Sequence, residues 1–214
     1  MNHAIDVVPE AWWALGDTDS FYPGDLPDEW RLTYFANQFG AALVPESAWR
    51  ERSAAALADW RADVHLGFRF FLECGPETNR GALACAADAL GPALVAFVQV
   101  PQREPLTEPD GEPDGEPDGE PDWGPDRGPV TTPLRAQSRL RTEASIPASR
   151  LLAPDARRNL GSALRCPRQL NGDLRGARDW LVQLAEKPRL VILDRPTASE
   201  LEAWRHLVVL MGLG

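Results

Sequence analysis

Three short apolar segments, 41–44, 68–73 and 93–100, recur along the first hundred residues, and each gap between them holds one helix-length amphipathic stretch. Their starts are 27 and 25 residues apart, the interval of a strand, a crossover helix and a second strand. Such crossovers are right-handed and place successive strands side by side in the same direction, so the pattern predicts parallel βα units. The segments are apolar at nearly every position, as strands covered on both faces require. Helices are expected over 25–39, 46–61 and 77–90, the first with Asp25 as N-cap and Gly40 as a left-handed end. An earlier strand lies at 5–8 or 11–15; the pattern does not choose between them.

The alternation then stops. Residues 108–119 read Glu-Pro-Asp-Gly three times, and the pattern decays through Glu120-Pro121-Asp122-Trp123 and Gly124-Pro125-Asp126-Arg127. Proline at every fourth position removes backbone donors and forbids helix, glycine adds freedom, and the carboxylates repel one another. Ordering a backbone costs roughly 1–2 kcal/mol per residue, and nothing here buries enough apolar surface to offset it. The span 103–133 is therefore expected to be a disordered acidic insertion. Its carboxylate spacing lacks the alternate ligands and closing Glu of a calcium loop. The chain accordingly divides into 1–102, an N-terminal βα half-barrel; 103–133, the insertion; and 134–214, a C-terminal α/β segment that packs on the first.

Beyond the insertion, 134–153 is weakly patterned and 154–166 suggests a short helix. A helix over 174–185, a strand over 189–193 and a final helix over 197–211 follow. Thr197 and Glu200 have the spacing of a capping box. Five strands result, three short of a closed eight-stranded barrel.

Charge is unevenly placed along the chain. Residues 108–129 carry nine acids and one base, whereas 130–178 carry ten arginines and three acids. Arg135, Arg139, Arg141, Arg150, Arg157, Arg158, Arg165 and Arg168 could engage phosphates, but the tract lacks interleaved aromatics for base stacking and an acidic run adjoins it. Intramolecular neutralisation is the favoured reading, and nucleic acid is disfavoured as a partner. The apolar stretches are too short for a membrane span, and no basic-then-apolar leader opens the sequence. Three scattered cysteines (Cys74, Cys85, Cys166) do not make a disulfide scaffold, and a cytoplasmic location is expected. No phosphate-binding or dinucleotide fingerprint and no metal-ligand spacing among His3, His65 and His206 occurs, so neither cofactor nor metal is expected.

A series of landmarks carries a family resemblance: Phe21-Tyr22-Pro23, Leu26-Pro27, Trp30-Arg31-Leu32, Tyr34-Phe35-Ala36-Asn37 and Phe39, then Trp49, Phe68-Arg69-Phe70, Leu90-Gly91 and Gln99-Val100-Pro101. In order and spacing this resembles the YecE-like family (domain of unknown function 72) over roughly 1–101 and 172–214. The resemblance implies a TIM-barrel-like fold, here incomplete, and no settled activity. The family's glycine-rich opening is replaced by Trp12-Trp13-Ala14-Leu15-Gly16-Asp17. Val44-Pro45 stands where the family has a Glu-Ile-Asn strand end.

In barrels and open parallel sheets, ligands sit outside the carboxyl ends of the strands. That rule selects Glu73, Gln99, Asp194 and Arg195, with Asp17, Asp19 and Tyr22 from the first loop. Such a set suits a polar or anionic small ligand, with Arg195 as the two-pronged anion partner. The alternative expectation is a non-catalytic interaction module, completed by self-association or by a partner that supplies the missing strands. Whether the chain is an enzyme is left open by the sequence.

Overall fold

The computed structural model describes residues 4–101, 149–184 and 186–214. The insertion expected at 103–133, and Arg135, Arg139 and Arg141 after it, lie outside the described residues.

The described chain runs β1 (Asp6–Pro9), α1 (Thr18–Phe21), α2 (Arg31–Gln38), β2 (Ala41–Val44), α3 (Glu46–Trp49), α4 (Ala54–Ala62), β3 (Arg69–Cys74), α5 (Arg80–Leu90) and β4 (Leu94–Gln99). It resumes with β5 (Ser149–Leu152), β6 (Asn159–Arg165), α6 (Leu174–Gln183), β7 (Leu190–Leu193) and α7 (Ala198–Leu210). The seven strands form one sheet in the order β1-β7-β6-β5-β4-β3-β2. Every neighbouring pair is parallel except those made by β5, which runs antiparallel to both β4 and β6. The result is a mixed α/β, barrel-like sheet, nearly closed, with its ends at β1 and β2. An ion pair reaches across this seam: Arg69 Nη1, on the first residue of β3, lies 2.6 Å from Asp6 Oδ1, on the first residue of β1.

Strand alternation divides the apolar residues into two cores. Val8, Ala41, Leu43, Phe71, Ala96, Val98, Leu151, Ala163, Leu190 and Ile192 form the inner cluster, to which all seven strands contribute. The intervening residues, among them Val7, Ala42, Val44, Phe70, Leu72, Cys74, Val191 and Leu193, pack outward with Trp49, Leu57, Leu83, Leu181 and Trp204 of the helices. Burial on both faces is why these strands read as unbroken hydrophobic runs. Phe71, 2% exposed, is the largest inner side chain, and burying such a ring contributes about 2–3 kcal/mol. The alanines around it leave the room a narrow interior needs.

The structure corrects several local expectations. The described residues make seven strands rather than the expected five, because β5 and β6 form a hairpin in a region whose sequence pattern is weak over 134–153 and suggests a short helix over 154–166. In β6 only Ala163 is fully buried, so the run Asn159-Leu160-Gly161-Ser162-Ala163 carries little amphipathic signal. The barrel-like sheet is thus left open by one seam, between β1 and β2. Strand one is the 5–8 candidate. The helix expected over 25–39 begins only at Arg31, after a 3-10 turn over Asp28–Trp30, because Pro27 is extended and Asp25 caps nothing. Its end is an extended Phe39 leading directly into β2, and not a left-handed Gly40. The helix expected over 46–61 breaks into α3 and α4, with Ser53 accepting from the Ala56 N–H at 3.2 Å to restart it. Trp30, at the end of the 3-10 turn, is 62% exposed. Of the three cysteines, Cys74 and Cys166 are buried and Cys85 is exposed on α5.

Candidate functional site

The same two-residue step that fills the interior also decides what closes its ends. Two residues beyond the inner Val8, Phe71 and Ala163 stand Glu10, Glu73 and Arg165, at the carboxyl ends of β1, β3 and β6. Their side chains converge. Arg165 Nη1 lies 3.1 Å from Glu10 Oε1, and Nη2 lies 2.6 Å from Glu73 Oε1. One guanidinium thus spans two carboxylates from different strands, each arm donating to one. All three remain partly open, at 28% for Arg165, 31% for Glu10 and 17% for Glu73.

The cluster is held by rigid backbone. Glu10 N–H donates to the Leu193 carbonyl at 3.2 Å, which extends the β1–β7 ladder by one residue. Trp49 Nε1 donates to the Glu73 carbonyl at 2.8 Å, pinning the end of β3 under α3. The Glu46 carboxylate accepts from Gly75 N–H and from the Thr78 hydroxyl, both at 2.7 Å, and so fixes the loop between β3 and α5. Burial works against the charge on Arg165, but the carboxylates of Glu10 and Glu73 outweigh it and hold its pKa above the ordinary arginine value. Neighbouring thiols are inert. Burial, with the negative charges of Glu46 and Glu73, pushes Cys74 up to about 11, and burial alone pushes Cys166 up to about 12.

Of the residues selected from the sequence, Glu73 lies in this cluster. Gln99 is half-buried and pairs in register with Cys74, on the outward-facing parity of the sheet. Tyr22 is buried, and its hydroxyl donates to the Trp12 carbonyl; burial also drives its pKa well above the usual phenol range. Asp194 offers its backbone carbonyl to Asn171 Nδ2 at 2.9 Å. Arg195 is exposed, has a positive φ of 45°, and lines a separate surface cleft with Leu15, Gly16, Asp17, Thr18, Asp19 and Ser20. The loop on the far side of that cleft comes so close that a Cβ on Gly16 would meet the Arg195 carbonyl at 2.7 Å. Asp17 Oδ1 accepts from the Ala198 N–H at 3.0 Å, which ties this loop to the start of α7.

Glu10 and Arg165 escape a reading of the sequence alone. Glu10 follows a strand whose position the pattern leaves open, and Arg165 lies in a tract that reads as helix and as one arginine among many. The retrievable signal is the alternation itself: a charged residue two positions past a buried strand residue, at a carboxyl end. Among the described residues no group of three or more His, Cys, Asp and Glu side chains converges as metal ligands would, and no helix is long and apolar enough to cross a membrane. No family model, curated protein or solved structure matches the chain.

Proposed function

We propose that this chain, a divergent relative of the YecE-like proteins, binds a polar, hydroxyl-bearing small molecule at the carboxyl-terminal mouth of its barrel-like sheet. The observation that carries this reading is Arg165 held between Glu10 and Glu73, half-open, at the strand ends where such folds place ligands. Two carboxylates offer acceptors to hydroxyl groups, and the guanidinium offers donors to ring or hydroxyl oxygens. The trio sums to one negative charge, which favours the polar form of the expected ligand over the anionic one. Kinship with the YecE-like family is supported by the ordered landmarks from Phe21 to Pro101, together with the mostly parallel, nearly closed sheet.

The test is a thermal-shift screen of the full chain against sugars, polyols and their phosphate esters. At a hundredfold excess over Kd a ligand adds about 2.7 kcal/mol to stability, a shift of several degrees. At least one uncharged polyhydroxyl compound is expected to give such a shift, and Glu73→Gln to remove it. A screen in which no compound stabilises the wild type, or in which Glu73→Gln leaves every shift unchanged, overturns the reading. A response confined to phosphate esters and abolished by Arg195→Ala would move the site to the cleft beside Gly16.

A further inference from the structure

A second concave site lies apart from the mouth, in a cavity of about 590 Å³ between the segment after β1, the start of α2 and the pair α3–α4. That size accommodates a small organic ligand. Its walls include Trp12, Trp13 and Trp60. The Trp12 ring stands perpendicular to both of the others, 4.4 Å and 89° from Trp13, and 5.2 Å and 88° from Trp60. Trp12 is 5% exposed and fixed, whereas Trp13 is 36% exposed and free to meet a ligand.

Asp28, Glu29, Asp59 and Asp63 share the lining, against Arg31 and Arg52. Arg31 is already engaged, 3.0 Å from Asp28. Among the described residues the carboxylates of Glu29, Asp59 and Asp63 have no ion pair. Indole rings that line a cavity together with uncompensated carboxylates attract a cation: the aromatic quadrupoles favour it, and the acids supply the longer-range field. The cavity already shows this preference within the molecule. Arg52 Cζ lies 4.8 Å from the centroid of Trp60, while its Nε donates to the Ala48 carbonyl at 2.8 Å.

From this geometry we infer that the cavity is a binding site for a small organic cation of the quaternary-ammonium class, with Arg52 as a resident competitor for the Trp60 face. A quaternary head group has no hydrogen bonds to lose on leaving water, so aromatic faces recognise it better than they recognise a primary amine. Exposed carboxylates make the attraction salt-sensitive.

Choline is the probe, and 3,3-dimethyl-1-butanol, its uncharged isostere, is the control, both titrated into the full chain by calorimetry. Choline is expected to bind saturably and the isostere at least about tenfold more weakly, because only the charged head group gains the cation–π and carboxylate terms. Arg52→Gln, which vacates the Trp60 face at an exposed position, is expected to tighten choline binding by about three- to tenfold. Trp13→Ala, also at an exposed position, is expected to weaken it by at least about tenfold. Equal affinity for choline and its isostere, weaker binding by Arg52→Gln, or no saturable binding in either wild type or Arg52→Gln overturns the assignment. The isostere comparison needs no substitution, so it stands even if Trp13→Ala disturbs the fold. None of these outcomes bears on the Glu10–Arg165–Glu73 cluster.

Discussion

Arg165 holds together two carboxylates that would otherwise face each other across the mouth of the sheet. Its arms reach Glu10 and Glu73 at 3.1 and 2.6 Å, and at 28% exposure the guanidinium is neither a free surface group nor a fully desolvated one. An exposed ion pair contributes about 0–1 kcal/mol, and breaking a buried one costs about 3–5 kcal/mol. An intermediate site should fall between. Arg165→Met is therefore expected to destabilise the chain by about 1–2 kcal/mol, because it leaves both acids uncompensated and mutually repelling. Adding Glu10→Gln and Glu73→Gln to Arg165→Met is expected to recover most of that loss. Urea midpoints at constant slope would measure both effects. A triple variant no more stable than Arg165→Met would show that Arg165 acts through its packing stem and not through charge.

Secondary elements with strong local signals are legible in the sequence. The strand at Ala41–Val44 has its expected bounds, and the capping box at the start of α7 is present in both halves. Glu200 N–H donates to Thr197 Oγ1 at 3.2 Å, and Thr197 N–H donates to Glu200 Oε2 at 2.8 Å. This box also carries tertiary weight, since Asp17 satisfies the next amide, Ala198 N–H. Thr197→Ala is expected to lower stability by about 1 kcal/mol, and Thr197→Ser by much less, because serine keeps the accepting oxygen. Thermal unfolding of the two variants would separate the cap from the methyl group. The β5–β6 hairpin had no such signal. Its outward positions mix the exposed Arg150 with half-buried Leu152, Ser162 and Leu164, and its antiparallel direction breaks the βα rhythm on which the rest of the reading depends. The mouth cluster is hidden for the same reason: Glu73 lies at the end of a readable strand, whereas Arg165 ends an unreadable one. What a single sequence could supply was the parity rule, and that rule could be applied only where a strand's register was already clear.

Across the whole described molecule, the sheet interior is layered by alternation. Asp6 and Arg69 stand two residues before the inner Val8 and Phe71, and Glu10 and Glu73 stand two residues after them. A charged pair therefore sits at the amino end, an apolar filling in the middle, and the Glu10–Arg165–Glu73 cluster at the carboxyl end. The ion pair at the seam and the three-residue cluster thereby lie at opposite ends of the sheet. At the amino end Arg69 bridges the seam between β1 and β2, where no ladder of hydrogen bonds does so. Burying the Asp6 carboxylate here costs stability at neutral pH that the bridge only partly offsets. Burial raises the Asp6 pKa above its ordinary value, and that effect exceeds the opposing attraction of Arg69, Arg189 and Arg205. A carboxyl group whose folded pKa exceeds its unfolded pKa contributes stability that is fully present below the unfolded value, near about 4, and is lost as pH rises through the folded value. Asp6→Asn removes that penalty and keeps the shape of the group. The variant is therefore expected to melt at or above the wild-type temperature at pH 7, with the difference shrinking toward zero as both are titrated to about pH 3. Paired melting curves across this range measure the difference directly. A variant that melts below the wild type at pH 7, with that deficit closing on acidification, would mean that the Asp6–Arg69 pair stabilises the seam, and that attraction across it, not desolvation, dominates at the amino end of the barrel.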